Sequence, residues 1–170
     1  MLVPFIGYAF CRRFIGYVEC DGGRLTDTLN RSESIVIREA FVESYDNEMV
    51  TNLGDGEVDR STIYAVETTG GRGDAARRIH TVRERLQMQV GPYAVLGLLH
   101  SVPGQIPLPI LERGPMIPLT DATLGFSRRG SLMLRDVGAL IVNRELLDWV
   151  RAGETEALAF PGVPVLTDRA

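Results

Sequence analysis

The stretch Leu29–Val42 reads Leu-Asn-Arg-Ser-Glu-Ser-Ile-Val-Ile-Arg-Glu-Ala-Phe-Val, and a related stretch, Leu111–Leu124, follows at a spacing of 82 residues. Identical residues stand at four pairs of positions: Leu29/Leu111, Arg31/Arg113, Ile35/Ile117 and Ala40/Ala122. A repeat at a constant spacing indicates a duplicated structural unit. We therefore expect a chain with two related halves.

Both copies carry a long strand with an irregular apolar pattern. The first reads Ile35-x-Ile37-x-x-Ala40-x-Val42, and Ile117–Leu124 has the same spacing. The apolar positions move by one residue in the middle, and one residue moves a strand side chain to the opposite face. The pattern predicts a β-bulge or a sharp bend at this point. Strong bending is how about five short strands close into a small barrel.

The segments before this strand also correspond. Cys11–Glu19 matches the strand at Tyr93–His100, with Gly16 over Gly97. In the first half, a turn and then a single helical turn at Thr26–Asn30 are predicted between Cys11–Glu19 and the long strand. Thr26 is the predicted N-cap of this helical turn.

The segments after this strand predict turns and closing strands. Gly54–Gly56 predicts a turn, and Val58–Glu67 a closing strand. In the second half, Ser127–Gly130 predicts a hairpin turn. Asn143 and Arg144 predict a turn followed by a strand, although Arg144–Val150 alone would suit a helix.

The predicted fold is mainly β, with two tandem, small, strongly bent antiparallel barrels related by an internal repeat. Repeat A covers residues 1–68 and repeat B covers residues 86–151. A Gly- and Arg-rich linker occupies residues 69–85, and residues 152–170 form a C-terminal tail.

This pattern resembles the Sm-like small β-barrel, a variety of SH3-like barrel. The resemblance rests on the aliphatic-x-aliphatic-x-x-Ala spacing and on a closing strand with a turn inside it. Sm proteins that bind RNA carry Arg-Gly in that turn, whereas this chain has Asp59-Arg60 and Asn143-Arg144. The resemblance therefore implies the fold without the RNA pocket.

The whole chain also resembles an uncharacterised bacterial family. The matching segments are Arg24–Asn30, Leu119–Ala122 and Val142–Leu146. This resemblance implies a tandem-duplicated bacterial protein and carries no known activity.

The composition narrows the chemistry. All 18 basic residues are arginine, and only two histidines are present. The absence of lysine from the sequence excludes a Schiff-base or P-loop lysine. We predict no catalytic residues, no cofactor and no metal site. Cys11 and Cys20 are too few for a disulfide framework, although pairing between adjacent strands stays open.

The net charge of −4 gives no general attraction to nucleic acid. One basic stretch could still bind nucleic acid through phosphate contacts, or simply be solvated. It consists of Arg72, Arg77, Arg78, Arg83 and Arg85. Because Tyr93 is the one nearby aromatic residue for base stacking, solvation is favoured.

The arginines that recur in both copies are Arg31, Arg60, Arg113 and Arg144. We expect them to bond strand-end carbonyls or a carboxylate within each barrel, with Glu39 and Asp121 as the candidate carboxylates. The alternative is that they face a ligand.

The leading functional hypothesis is a non-enzymatic assembly or protein-interaction module that forms homo-oligomers through its edge strands. The apolar, proline-rich segment Val102–Pro118 is a second candidate surface, for a protein partner. Nucleic-acid binding is the alternative function, and an enzyme with a dispersed Asp/Arg site ranks third. The apolar start, Met1–Phe10, is too short to span a membrane and predicts a first strand, so we expect a cytoplasmic protein without membrane contact.

Overall fold

A computed structural model describes residues 1–68, 81–101, 103 and 114–153 of the 170-residue chain. These residues form ten β-strands and one α-helix, which confirms the prediction of a mainly β protein. The elements are β1 (Leu2–Ala9), β2 (Arg12–Glu19), α1 (Leu25–Arg31), β3 (Ser34–Ser44), β4 (Val50–Asp59), β5 (Ile63–Glu67), β6 (Val82–Val90), β7 (Tyr93–Ser101), β8 (Met116–Arg128), β9 (Ser131–Asn143) and β10 (Leu147–Ala152).

The ten strands form one continuous antiparallel sheet in the order β10-β6-β7-β8-β9-β5-β1-β2-β3-β4. The order within the first half, β5-β1-β2-β3-β4, is repeated in the second half as β10-β6-β7-β8-β9. The expected closure into two separate barrels is not found among the described strands. Instead of pairing with β4 of its own half, β5 pairs with β9 of the other half, so the sheet stays open.

The predicted bend in the long strand is confirmed in both halves. Glu39 and Asp121 stand at equivalent positions and both have left-handed backbone conformations, with φ of 50° and 47°. The β3–β4 register shifts between Ile37 and Ala40, as the apolar spacing predicts. A left-handed non-glycine residue is uncommon, so its occurrence at the same place in two strands marks a shared bulge.

A glycine in the neighbouring strand faces each bulge. A Cβ atom at Gly16 would lie 2.6 Å from the Arg38 carbonyl oxygen, and one at Gly97 would lie 3.1 Å from the Leu119 Cβ atom. The bulged strand therefore approaches β2 and β7 too closely for a larger residue. These two contacts explain why glycine occurs at the corresponding position of each half.

Two hydrophobic clusters lie on the inner surfaces of the curled sheet, and each draws side chains from both halves. The cluster of the second half includes Tyr8, Tyr45 and Ala65 from the first. The cluster of the first half includes Met116 and Ile141 from the second. Because each core needs residues from the other half, the described chain behaves as one packing unit.

The predicted turn at Gly54–Gly56 is wrong, because these residues lie within the continuous strand β4. Gly54 faces Ala40 next to the bulge and has a φ of 65°. The Asp55 carboxylate accepts the Glu39 backbone N–H at 3.1 Å and the Arg38 guanidinium at 2.7 Å. The Gly-Asp-Gly signal therefore marks a distortion of the strand that complements the bulge.

Three other local predictions have separate outcomes. The helix spans Leu25–Arg31 with Arg24 at its N-cap, so Thr26 was the wrong cap. A hairpin turn at Arg129 and Gly130 is confirmed by the left-handed conformation of both residues. The turn after Asn143 is confirmed as a 3-10 turn, Arg144–Leu146, that leads into β10.

The segments that were assigned to linkers and the tail are described only in part. β6 begins at Val82, so Arg83 and Arg85 are strand residues rather than parts of a linker. Residues 69–80, 102, 104–113 and 154–170 lie outside the described chain. The described residues contain no helix with the length and apolar character needed to cross a membrane.

Replacing Gly16 by alanine should destabilise the protein by about 1–3 kcal/mol, because the new methyl group would overlap the Arg38 carbonyl oxygen. Gly56→Ala is the matched control, since a Cβ atom at Gly56 on β4 meets nothing within 4 Å. Urea unfolding at a fixed protein concentration measures both. Equal stability of the two variants would contradict the proposed close approach.

Candidate functional site

The short ladder between β5 and β9 joins the two halves of the sheet. Its register places Ala65 opposite Val142, Val66 opposite Ile141, and Glu67 opposite Leu140. The residues of the first two pairs, Ala65 with Val142 and Val66 with Ile141, are each at most 2% exposed. This junction shows in atomic detail how two such units can share one sheet.

Asn143, the last residue of β9, fixes one end of the junction. Its Nδ2 group donates to the Arg60 carbonyl at 3.1 Å and to the Ile63 carbonyl at 3.0 Å, both in the first half. Its Oδ1 atom accepts the Glu145 backbone N–H at 3.1 Å. The side chain is fully buried and both of its polar atoms are used.

The Glu67–Arg135 ion pair, together with the Tyr8 hydroxyl, fixes the other end of the junction. Arg135 of β9 donates from Nε and Nη2 to the two carboxylate oxygens of Glu67 in β5, at 2.8 and 3.0 Å. The Tyr8 hydroxyl donates to Glu67 Oε2 at 2.9 Å. The Glu67 carboxylate raises the pKa of Arg135. Burial, reinforced by Glu67, raises the pKa of Tyr8, so the Tyr8 hydroxyl stays a donor.

The helix and the 3-10 turn Arg60–Thr62 contribute further contacts between the halves. The Asn30 side chain accepts the Met116 backbone N–H at 2.8 Å and donates to the Met116 carbonyl at 3.0 Å. The Arg60 guanidinium bonds the Leu29 and Ser32 carbonyls and lies 3.5 Å from the Glu145 carboxylate of the second half.

A third group of contacts connects the end of β3 with the end of β8. Arg128 at the end of β8 and Arg13 of β2 both pair with the nearly buried Glu43 carboxylate of β3, at 3.0 and 2.6 Å. Beside them, Tyr45 stacks on Phe126, with ring centroids 5.1 Å apart. The sheet is therefore curled enough for β3 and β8, five places apart in the strand order, to touch.

The same strand types that meet at this junction form the two open edges of the sheet. The counterpart of β9 in the first half is β4, and the counterpart of β5 in the second half is β10. All ten residues of β4 are exposed or half-exposed, and so are all six of β10. Both edges present backbone groups that the described strands do not pair.

The two edges differ in charge. β4 carries Asp55, Glu57 and Asp59 and no basic residue. β10 carries Asp148 and Arg151, and the Arg151 guanidinium lies 4.9 Å from the ring centroid of the half-buried Trp149. Charged edge residues discourage indiscriminate strand pairing, so a partner for β4 needs basic groups of its own.

Asp59 stands at the end of β4, in the place that Asn143 has at the end of β9. Each side chain accepts the backbone N–H of the residue two positions later, Ser61 at 2.8 Å for Asp59. Hydrogen bonding by Ser61, from its side chain and from its backbone N–H, lowers the pKa of Asp59, so its carboxyl is ionised at neutral pH. A carboxylate lacks the donor that Asn143 uses to cross the junction.

The repeated arginines have different surroundings. Arg31 is exposed at the last turn of α1. Arg60 bonds helix-end carbonyls and approaches Glu145 rather than the expected Glu39. Arg144 donates its backbone N–H to the Pro115 carbonyl at 2.6 Å. Arg113 lies outside the described residues, and so does most of Val102–Pro118.

Of the basic stretch, Arg83 and Arg85 are exposed on β6, whereas Arg72, Arg77 and Arg78 lie outside the described residues. His100 is exposed and lies 3.0 Å from Thr81 Oγ1 and 2.6 Å from Thr120 Oγ1. Neither feature is joined to the junction by a described contact.

Asp121 is exposed in an open depression of about 360 Å³ that Thr123 and Asp136 also line, and Thr123 donates to Asp136 at 2.7 Å. Within residues 1–68, 81–101 and 114–153, three or more His, Cys, Asp or Glu side chains are nowhere placed to hold a metal ion. Cys11 and Cys20 are free thiols.

Sequence reasoning missed the residues that join the halves, namely Asn30, Glu67, Arg135 and the side-chain role of Asn143. Asn143 was assigned only to a turn. One signal was present: the copies carry aspartate and asparagine at an otherwise similar position, Asp59 and Asn143. Both side chains can accept a hydrogen bond, but only asparagine also has a donor, which indicates a carbonyl partner in one copy alone.

Comparisons with protein families, with curated proteins and with solved structures give no match to this chain. The resemblances to Sm-like barrels and to an uncharacterised bacterial family therefore stay predictions. The geometry of the sheet edges provides the basis for a function.

Asn143→Asp should destabilise the protein by about 2–4 kcal/mol, because a buried carboxylate would face two carbonyl oxygens. Asn52→Asp is the matched control. Asn52 is exposed, and its Oδ1 atom accepts the Gly54 backbone N–H, a role that aspartate preserves. Thermal and urea unfolding compare the variants. A small and equal effect in both would show that Asn143 does not anchor the junction.

Arg135→Gln should cost about 1–2 kcal/mol, because it leaves the mostly buried Glu67 carboxylate without its cation. Arg129→Gln removes an exposed ion pair with Glu48 at 3.7 Å and should change stability by less than about 1 kcal/mol. Denaturant unfolding of both variants gives the comparison. If Arg135→Gln were as mild as Arg129→Gln, the Glu67–Arg135 pair would not hold the halves together.

Proposed function

We propose that this protein is a non-enzymatic assembly module, built from two fused Sm-like units, that joins further protein chains through the open edges β4 and β10. The observation that carries the proposal is the pairing of β5 with β9. The strands that meet there have their counterparts in the two edge strands. A chain that already uses this pairing once can use it again at its ends.

The repeated strand order and the shared bulge support the duplicated, Sm-like character of the units. The strand order β5-β1-β2-β3-β4 recurs as β10-β6-β7-β8-β9. In both units a glycine lies against the bulge that contains a left-handed acidic residue: Gly16 lies against the bulge at Glu39, and Gly97 against the bulge at Asp121. Both features support the proposal of one five-stranded unit used twice.

Another copy of this chain is the first expected partner. Each copy has one β4 edge and one β10 edge, which are of the two types that pair within the chain. The acidic β4 also suits an edge that carries Arg151. Homo-oligomerisation would then pair backbone groups that otherwise stay exposed along β4.

Light scattering after size exclusion, across a range of protein concentrations, should show masses that rise above that of one chain. Arg151→Glu should weaken the association, because it places a fourth negative charge against Asp55, Glu57 and Asp59. Arg12→Glu is the control, since it makes the same charge change at an exposed position of β2, which β3 separates from the β4 edge and which lies far from β10 in the strand order. A chain that stays monomeric throughout, or equal weakening by both variants, would contradict the proposal.

Nucleic-acid binding is the second candidate. Arg83 and Arg85 alternate with the half-buried Glu84 on β6, so both arginines face solvent on the same side of the strand. A gel-shift assay across salt concentrations tests this candidate, because phosphate contacts weaken as salt rises. Absence of binding at low salt would end it.

A cytoplasmic location belongs to the same proposal. Cys11 and Cys20 are both free thiols, a state that a reducing compartment maintains.

A further inference from the structure

We infer that β10 of one copy adds to β4 of a second copy in the register of the β5–β9 junction, and that Asp59 limits the strength of this contact. The inference rests on the proposed assembly function and specifies its partner, its register and the residue that sets its affinity. It follows from the correspondence between the strands at the junction and the strands at the edges.

The correspondence fixes the register. Positions in β5 and β9 differ from their counterparts in β10 and β4 by 84 residues, as Val66/Val150 and Val142/Val58 show. As Ala65 lies opposite Val142 within the chain, Trp149 of one copy therefore lies opposite Val58 of the other. The pair Val66 and Ile141 becomes Val150 opposite Glu57, and Arg151 lies opposite Gly56.

The packing of these side chains agrees with this register. Val66 packs in the hydrophobic cluster of its own half, and its counterpart Val150 packs against the cluster of its own half. Val142 and Val58 have the same relation to their clusters. Val150 and Val58 are nonetheless only half-buried, whereas Val66 and Val142 are completely buried. A second copy would supply the missing cover.

The side chains that pack into the cluster of the other half differ more from their counterparts at the edges. Ala65 and Ile141 each pack into the cluster of the other half. Their counterparts are Trp149, a large aromatic residue, and Glu57, a charged one. The contact between copies is therefore more polar than the one within the chain, and it should form and dissociate reversibly.

Asp59 adds the sharpest difference. In the register above, its side chain faces the Arg144 and Leu147 carbonyls of the copy that provides β10, as Asn143 faces the Arg60 and Ile63 carbonyls. Asn143 donates to both of its carbonyls, but the carboxylate of Asp59 can only accept. The Asp59 carboxylate and the two carbonyl oxygens would then lie close together without a hydrogen-bond donor between them. Asp59 thus weakens the contact.

The two edges differ, so the contact is head-to-tail. Each added copy leaves one β4 and one β10 free at the ends of the chain of subunits. A head-to-tail contact produces a closed ring if its rotation closes and a filament if it does not.

Cross-linking of the full-length chain tests the register. In a Cys11→Ser, Cys20→Ser background, Val58→Cys with Trp149→Cys should give a ladder of covalent multimers with a short bis-maleimide reagent. Val50→Cys with Trp149→Cys is the control. Val50 is exposed on the same strand but lies about 26 Å further along it. Equal ladders from both pairs, or a ladder from the control alone, would overturn the register.

Asp59→Asn tests the limiting residue. Asparagine can still accept the Ser61 backbone N–H, as Asn143 accepts that of Glu145, and it adds the missing donor. Sedimentation equilibrium should show self-association at least about tenfold tighter than wild type. Asp59→Ala removes the charge without adding a donor, and should give a smaller gain.

The outcomes separate this inference from the assembly function. If the wild type and Asp59→Asn are both monomeric at every concentration, the assembly function itself fails. If the wild type associates but Asp59→Asn does not strengthen association, the role given to Asp59 is wrong. Weaker association of Asp59→Asn would instead indicate that Asp59 pairs with Arg144 of the copy that provides β10.

Discussion

Three residues of β5 pair with three residues of β9, and the arrangement of the described chain depends on this ladder. It turns two five-stranded meanders into one ten-stranded sheet. Asn143 closes one end of it and the Glu67–Arg135 pair closes the other. Both hydrophobic clusters then extend across it, so neither core is complete without the other half. A junction with buried apolar residues and satisfied polar ends explains why the halves share one sheet.

The regular features of this sheet could be predicted from the sequence. The one-residue shift between Ile37 and Ala40 determined the bulge, because side chains alternate strictly along a strand and a shift in apolar spacing leaves few other geometries. Gly16 and Gly97 could be matched by spacing. The turn and strand after Asn143 could be inferred from the other copy, in which the corresponding residues had stronger strand character.

The long-range features could not be predicted. Pairing between β5 and β9 joins residues about 75 positions apart, and local residue preferences do not specify such pairs. Gly54–Gly56 was misread as a turn because glycine and aspartate mark turns and strand distortions alike. The roles of Glu67 and Arg135 depend on which strands become neighbours, so neither residue type revealed them. Arg31 and Arg113 were candidate sites because they recur, whereas Asn143, which joins the halves, differs from its counterpart Asp59.

Those differences are what relate the fold to a function. A residue that both copies share serves the fold of each unit, as Gly16 and Gly97 do. We propose that a residue that differs, as Asp59 differs from Asn143, distinguishes a permanent junction within the chain from a weaker contact at its edges. Hydrogen-exchange mass spectrometry at low and high protein concentration tests this claim most directly. We expect slow exchange in β5 and β9 at both concentrations, with protection of residues 56–59 and of Leu147–Ala152 increasing as concentration rises. Unchanged exchange at both edges in a protein that does associate would contradict it.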